Sequence, residues 1–435
     1  MSAQWKKLDV AVMGGGIGGL SAAVAMRRAG HKVTVYERRN FAAEVGASIS
    51  CAANGTQWLH EWKVDVPSGR PVVLLHLTMR DWKTSEPIAV YDLSDYEKKW
   101  GNVYNMFHRQ DMHTMLLETA TAEDGEGDPV KVVVDYICDD VDVETSTIKF
   151  RNGKEIKADV IIGADGIRSN VRTALGIKTE RKYAPQTCFR CNVLTDDVKR
   201  LGLVDYSYEP AIQYWNGFEQ HEDVNKYFKI VMSPCAGGDI VSFYCFMPTE
   251  YAAQHTSEGF TFKEVDVEEM LVGAYADKLE KNVVDLLKAS IDRMPWRLYV
   301  HDEYPYWSKG PATLLGDAAH PMMPHQSQGA CQAIEDAAAL GIIFSKNYPQ
   351  YTHDVAAGLR MYEKIRKPRA SRVQMASRLA TDDINERIGF TSLNLPSSFD
   401  ATAKELGWTK LTIPEMNTYD MKEHIAKEAA SEVAA

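Results

Sequence analysis

Long hydrophobic runs are missing from this chain. No apolar stretch approaches the roughly 18 residues of a spanning helix, so no transmembrane helix is expected. Basic runs are missing too: the formal net charge is −11, and no cluster of Lys and Arg stands out, which argues against a nucleic-acid partner. Cysteine is sparse. Seven are scattered without regular spacing, an odd count that reads as reduced and intracellular, with a cytoplasmic location expected. The first residues, Met1-Ser2-Ala3-Gln4-Trp5-Lys6-Lys7, lack the apolar core and cleavage site of a signal peptide. Metal-ligand patterns also fail. Cys188-Phe189-Arg190-Cys191 has no second ligand pair at suitable spacing and reads as extended rather than as a helix start. His320 and His325 are not aligned on one helix face, and the prolines between them indicate loop. No metal site and no internal repeat are therefore expected.

Apolar content is ordinary at 45%, enough for a large core, and 435 residues suit two or three domains. The most informative segment comes first. An apolar run, Val10-Ala11-Val12-Met13, leads into Gly14-Gly15-Gly16-Ile17-Gly18-Gly19, an Ala- and Leu-bearing helical stretch, and a second strand, Lys32-Val33-Thr34-Val35-Tyr36, ending on Glu37. This is the βαβ dinucleotide fingerprint in full context. Gly14 allows the tight turn, Gly16 lets backbone amides approach a pyrophosphate, and Gly19 lets the helix pack closely on the sheet. The helix N-terminus offers unpaired N–H groups to phosphates. Glu37 stands where an acid hydrogen-bonds ribose hydroxyls, and its charge argues against a 2′-phosphate at that position.

Two later segments specify the dinucleotide. Ala158-Asp159-Val160-Ile161-Ile162-Gly163-Ala164-Asp165-Gly166 reads as a buried strand and an Asp-Gly turn, followed by a helix capped by Ser169 or Asn170. Ala312-Thr313-Leu314-Leu315-Gly316-Asp317 is another strand ending in a turn and an acid, followed by His320-Pro321-Met322-Met323-Pro324-His325-Gln326-Ser327-Gln328-Gly329-Ala330 and a helix from about 332 to 345. With these three motifs in this order, the chain resembles the single-component FAD-dependent aromatic hydroxylases, the salicylate and hydroxybenzoate hydroxylases among them, over residues 8 to about 370.

The resemblance implies an α/β fold: a Rossmann-like FAD-binding domain, a second, mainly antiparallel β-sheet substrate domain, and a C-terminal helical segment. It implies FAD as cofactor, NAD(P)H as co-substrate, and O2 and a small aromatic molecule as the other reactants. Glu37 would then bind the adenosine ribose, and Asp317 of the Gly316-Asp317 turn the ribityl chain or flavin-side ribose. Asp165-Gly166 would serve FAD and NAD(P)H. Arg109, in Phe107-His108-Arg109-Gln110-Asp111, would lie near the pyrophosphate and ribityl chain. Gly329 and Ala330 would stabilise negative charge at the flavin ring through a helix N-terminus. Pro324 would lie over the flavin, with His325 a polar neighbour in the same loop.

The expected FAD-binding domain is discontinuous: 1–70, 106–180 and 299–352. Residues 71–105 and 181–298 form the expected substrate domain, because alternating segments near 211–215, 227–232 and 240–246 read as an antiparallel sheet. Residues 265–293 read as one or two helices. A long helix near 353–382 opens the C-terminal region, 353–435, whose Ala-rich end is helical or frayed. The oligomeric state is open, a homodimer included.

The expected reaction is hydroxylation of a phenolic aromatic acid, salicylate- or hydroxybenzoate-like, through a C4a-hydroperoxyflavin, with decarboxylation as one variant. The alternatives are a polyketide phenol or hydroxypyridine carboxylate as substrate, a flavoprotein oxidase or dehydrogenase without oxygen insertion, or a non-enzymatic flavin-binding sensor. Arg190, beside an aromatic at the start of the substrate sheet, is the candidate anchor for an anionic substrate, since a guanidinium binds carboxylate bidentately. Tyr214, a little over twenty residues on, could hydrogen-bond the phenol. His221 and Tyr227 are weaker candidates in the same hairpin.

Overall fold

Two sheets organise the molecule, and the sequence pattern separates them. A computed structural model describes residues 4–40, 46–180, 182–206, 209–216, 228–254, 267–276, 278–379 and 410–434. The first sheet has six strands in the order Ser308–Lys309, Ala312–Leu314, Val160–Gly163, Asp9–Met13, Lys32–Tyr36 and Lys131–Val133. All neighbours are parallel except the edge hairpin of Ser308–Lys309 with Ala312–Leu314. The central strands are almost wholly apolar because helices cover both faces, as buried parallel strands require. Helix Ile17–Arg28 packs against helix Gly329–Ile343, and small residues such as Ala22, Ala23, Ala337 and Ala338 let the two approach.

The second sheet has seven strands in the order Ile291–Val300, Lys182–Leu194, Ile240–Pro248, Lys229–Cys235, Ala211–Asn216, His76–Arg80 and Pro87–Asp92. Its pairs are antiparallel except Ala211–Asn216 with His76–Arg80. Alternation divides its faces. Phe189, Cys191, Val193, Trp215, Ile230, Met232, Phe243 and Cys245 form one core with helices Val267–Tyr275 and Lys281–Lys288. Cys188, Phe246 and Leu298 face the other way and pack against Met323 of the loop that follows Asp317.

Several elements differ from expectation at their ends. The helix expected from 332 begins at Gly329, one turn earlier, with Gln328 as its N-cap residue. The expected helical stretch 265–293 ends in a strand, Ile291–Val300, which tolerates Pro295 because it is a sheet edge. The long helix is Val355–Leu379 and carries Pro368 inside it. The Ala-rich end is helical, Met421–Ala434, anchored by buried Met421 and Ile425. His221 and Tyr227 lie outside the described residues. All seven cysteines are buried free thiols, and Cys188 and Cys191 sit in a strand. No helix among the described residues is long and apolar enough to cross a membrane, and those residues contain no cluster of metal-ligating side chains.

Candidate active site

The glycine turn after the first strand is built by close packing. Gly14 has φ +104°, and a Cβ there would lie 2.4 Å from the Ala164 carbonyl oxygen, so the first motif abuts the Asp165-Gly166 segment directly. A Cβ on Gly19 would lie 1.9 Å from the Gly14 carbonyl oxygen, which excludes any side chain. Gly16 differs: a Cβ there would meet nothing within 4 Å. That open space at the N-cap of helix Ile17–Arg28, which no side chain caps, is where a pyrophosphate would approach the free amides. Glu37 lies at the end of the second strand, accepting from the Gly15 N–H at 2.7 Å and the Arg39 N–H at 3.0 Å. His113, buried in helix Arg109–Thr121, bonds the Gly15 carbonyl at 2.7 Å and holds the turn from below.

The Asp165 carboxylate is engaged in its own turn. It accepts from Ser169 Oγ, from the Asn170 N–H at 2.7 Å and from the Val171 N–H at 3.2 Å, while Ser169 caps the short helix Asn170–Ala174. Burial pushes its pKa up, and these donors oppose the shift. Gly166 follows in open space, its missing Cβ facing no atom within 4 Å. Arg172, in the next turn, donates to the Ala318 carbonyl at 3.0 Å and the Ile167 carbonyl at 2.7 Å. It thus ties the second motif to the third.

Asp317 is both exposed and surrounded. Its surface is open to solvent, yet neighbouring protein atoms still push its pKa up by desolvation, against His320, Arg109 and Arg172. The space before this carboxylate is the candidate cofactor cleft. Arg109 thus lies near enough to the Gly316-Asp317 turn to act on its carboxylate. Gly329 and Ala330, half-exposed, open helix Gly329–Ile343 without a side-chain cap, leaving its first amides available. Pro324 begins a single turn, Pro324–Gln326, ended by Ser327 in the left-handed region at φ 52°, where the Ser50 hydroxyl donates to its carbonyl at 2.9 Å.

Across from that loop stands the inner face of the seven-stranded sheet. Lys229 is 4% exposed; its ammonium lies 3.9 Å from the centroid of the Phe246 ring and 3.2 Å from His325 Nδ1. Arg190, on the neighbouring strand but one, stacks at 4.3 Å on Trp296. Both cations act on Cys188 between them: burial pushes that thiol up to about 12, opposed first by Arg190 and then by Lys229. The Tyr244 hydroxyl donates to the Ser48 carbonyl, and burial likewise raises it to about 12, with Arg190 opposing. Tyr214 is buried on the same face, opposite Val231. The Asn192 amide, two residues beyond Arg190, donates to the Gly46 carbonyl at 3.1 Å and so links this face to the other sheet's loops.

Sequence reasoning overlooked Lys229, His113 and Arg172. Lys229 carried a signal: a lysine at an inward position of an alternating strand, in register with Val231 and Ser233. His113 carried none, because its role is a contact between two elements far apart in the chain.

The fold joins a parallel sheet carrying a dinucleotide fingerprint to a separate, mainly antiparallel sheet. The chain belongs to the FAD binding domain family, whose profile matches residues 7–377. It is a flavin-dependent aromatic monooxygenase. It is 32% identical over 381 residues to the 3-amino-4-hydroxybenzoate 2-monooxygenase PtnB3 of Streptomyces platensis, covering 85% of this chain and 86% of that one. It is 31% identical to the 6-hydroxynicotinate 3-monooxygenase of Bordetella bronchiseptica, over 85% and 91% of the two chains. In fold it matches the crystal structure of CtdE in complex with FAD and substrate, with a TM-score of 0.76, 19% identity and 98% of each chain covered. The residues present fit FAD: an open cradle at Gly16, a solvent-facing acid at Asp317 and two uncapped helix N-termini.

Proposed function

We propose that the protein uses NAD(P)H and O2 to hydroxylate a phenolic aromatic acid, returning water and NAD(P)+. Residues 1–70, 106–180 and 299–352 would hold FAD, and the seven-stranded sheet would hold the substrate. When bound, FAD accepts hydride from NAD(P)H, activates dioxygen and delivers one oxygen atom to an electron-rich ring. Glu37 would accept from the adenosine ribose hydroxyls, the amides at the start of helix Ile17–Arg28 beside Gly16 would donate to the pyrophosphate, and Asp317 with Arg109 would hold the ribityl region.

The observation that carries the reading is two cations, Lys229 and Arg190, on a face that also carries Phe246, Val231, Leu298, Met323 and Trp296 beside the hydroxyls of Tyr214 and Tyr244. Such a face suits a flat ring bearing a negative group. A buried cation beside a phenol favours the phenolate, which is the more electron-rich and more reactive form. His325 Nδ1 accepts from the Lys229 ammonium and would fix the position of that cation against the ring. The apolar wall excludes water from the reacting atoms. A hydroxypyridine carboxylate is the second reading, favoured by the identity to the 6-hydroxynicotinate enzyme and carrying the same anionic group on a flat ring.

The test is a panel of hydroxybenzoates, aminohydroxybenzoates and hydroxypyridine carboxylates, scored by substrate-stimulated NAD(P)H oxidation with products identified by mass. Arg190→Gln and Lys229→Met should raise KM for the carboxylated substrates by about 2–5 kcal/mol equivalent, chiefly because the substrate charge is left unpaired. Tyr214→Phe should act through one hydrogen bond, about 0.5–1.5 kcal/mol. FAD content should be normal in all three. Wild-type kinetics on a carboxylated phenol in both charge variants would remove this face from substrate binding.

A further inference from the structure

Behind the Gly316-Asp317 turn lies a buried polar cluster that neither the cofactor nor the substrate reading uses. Asp336, wholly buried in the second turn of helix Gly329–Ile343, divides its two oxygens between tasks. Oδ2 accepts from the Gly316 N–H at 3.0 Å and from His320 Nε2 at 2.6 Å. Oδ1 accepts from Arg366 Nε at 2.8 Å. Gly316 and His320 are the two ends of the turn that carries Asp317, so one carboxylate oxygen grips both. His320 is 1% exposed, its ring 5.2 Å from that of Trp307, and its Nδ1 has no partner among the described residues. Its orientation therefore comes from Asp336 and the Trp307 stack.

The grip is itself braced. Arg366 also donates to Glu335 at 2.6 Å and to the Gln332 side chain at 2.8 Å, and Arg369 donates to both oxygens of Glu335 at 2.7 and 3.0 Å. Two acids against two guanidiniums balance in charge, so the cluster needs no ligand of its own. What it does is fix the helix whose N-terminus opens the cleft and the turn whose acid faces the cleft.

We propose that Asp336 and His320 are positioning residues for FAD, clamping the Gly316–His320 turn at both ends so that the Asp317 carboxylate is pre-aimed into the cleft. The turn is closed internally by the Ala319 and His320 N–H groups on the Gly316 carbonyl, but without the grip it would lose its anchor to the helix, and the acid would pay an added ordering cost each time the cofactor bound. The inference rests on Asp317 being a cofactor ligand, and the experiment separates the two.

FAD-stripped full-length protein is titrated with FAD and followed by flavin fluorescence, with the fold checked by circular dichroism. His320→Leu should weaken FAD binding about tenfold or more, whereas His320→Gln, whose amide can still donate to Asp336, should stay within about threefold of wild type. The double variant Asp317→Ala/His320→Leu should bind FAD within about threefold of Asp317→Ala alone, because His320 acts through Asp317. Wild-type affinity in His320→Leu, or factors that multiply in the double variant, would overturn the clamp while leaving Asp317 as a ligand. Unchanged affinity in Asp317→Ala would overturn both. If His320→Leu does not fold, Asp336→Asn is measured the same way: weakened FAD binding supports the clamp and wild-type binding rejects it.

Discussion

At Asp317 the carboxylate stands among Arg109, Arg172 and His320, yet desolvation still holds its pKa above the ordinary range. A raised acid pKa in the folded state contributes stability that is present below the unfolded pKa and lost as pH rises through the folded pKa. At neutral pH the ionised group therefore works against the fold of the cofactor-free protein. Asp317→Asn should leave the apoprotein's Tm equal or higher at pH 7, with any gain vanishing below about pH 4, where the acid is protonated in both states. The same variant should bind FAD more weakly, by about 1–3 kcal/mol for a lost acceptor. Thermal melts with and without FAD measure both effects, and a lower apoprotein Tm at pH 7 would contradict the argument. At Glu37, the Gly15 N–H bond shows the acid ordering the glycine turn. Glu37→Arg should consequently reduce FAD retention, read as flavin released from the purified protein.

Helix Gly329–Ile343 joins the cleft to the rest of the chain. Its amino end opens toward the loop of Pro324 and His325, and its middle carries Glu335 and Asp336 into the buried core. Burial raises the pKa of Glu335, but Arg369 and Arg366 overcome it and hold the group below the usual carboxylate range. A depressed acid pKa contributes stability that is present above the unfolded pKa and lost as pH falls through the folded one. Acid should thus loosen this helix first. Glu335→Gln should cost about 3–5 kcal/mol, because Arg369 and Arg366 lose a charged partner in a desolvated place. Urea titration at pH 7 measures it, and a cost under 1 kcal/mol would mean water reaches the cluster. The C-terminal segment supports the same region. Arg369 donates to the Met416 carbonyl at 2.8 Å, and Met416 packs with Leu411, Val373 and half-buried Met322 of the cleft loop. The fully buried Ile425, changed to Ala, should cost about 2–5 kcal/mol.

For the molecule as a whole, two cores imply two separable properties. Trp215 is fully buried between the seven-stranded sheet and its helices and donates to Ser85 Oγ at 2.9 Å. Trp215→Ala should destabilise by about 3–5 kcal/mol and disturb the face that carries Lys229, Arg190 and Tyr214. Substrate KM should rise while FAD affinity stays near wild type, since the nucleotide motifs belong to the other core. A parallel loss of FAD would show that the cores act as one.

The nucleotide motifs were legible because their chemistry is local. A tight turn, a close amide approach and a ribose acid each depend on a few consecutive residues, so Gly14, Gly16, Gly19, Glu37 and Asp317 stood out before any contact was known. Alternation near 211–215 and 240–246 likewise disclosed a sheet, because one face of each strand is buried. What the chain could not disclose locally depends on which strands become neighbours. Lys229 and Arg190 meet around Cys188 only because Lys182–Leu194 pairs with Ile240–Pro248, and that strand pairs with Lys229–Cys235. Asp336 grips Gly316 and His320 only because its helix returns beneath their turn. The sequence by itself determined the cofactor class and the two-sheet plan, through short-range sterics and periodicity. Tertiary structure decided the proposed substrate face and the proposed clamp behind Asp317, because both join side chains brought together by burial rather than by spacing.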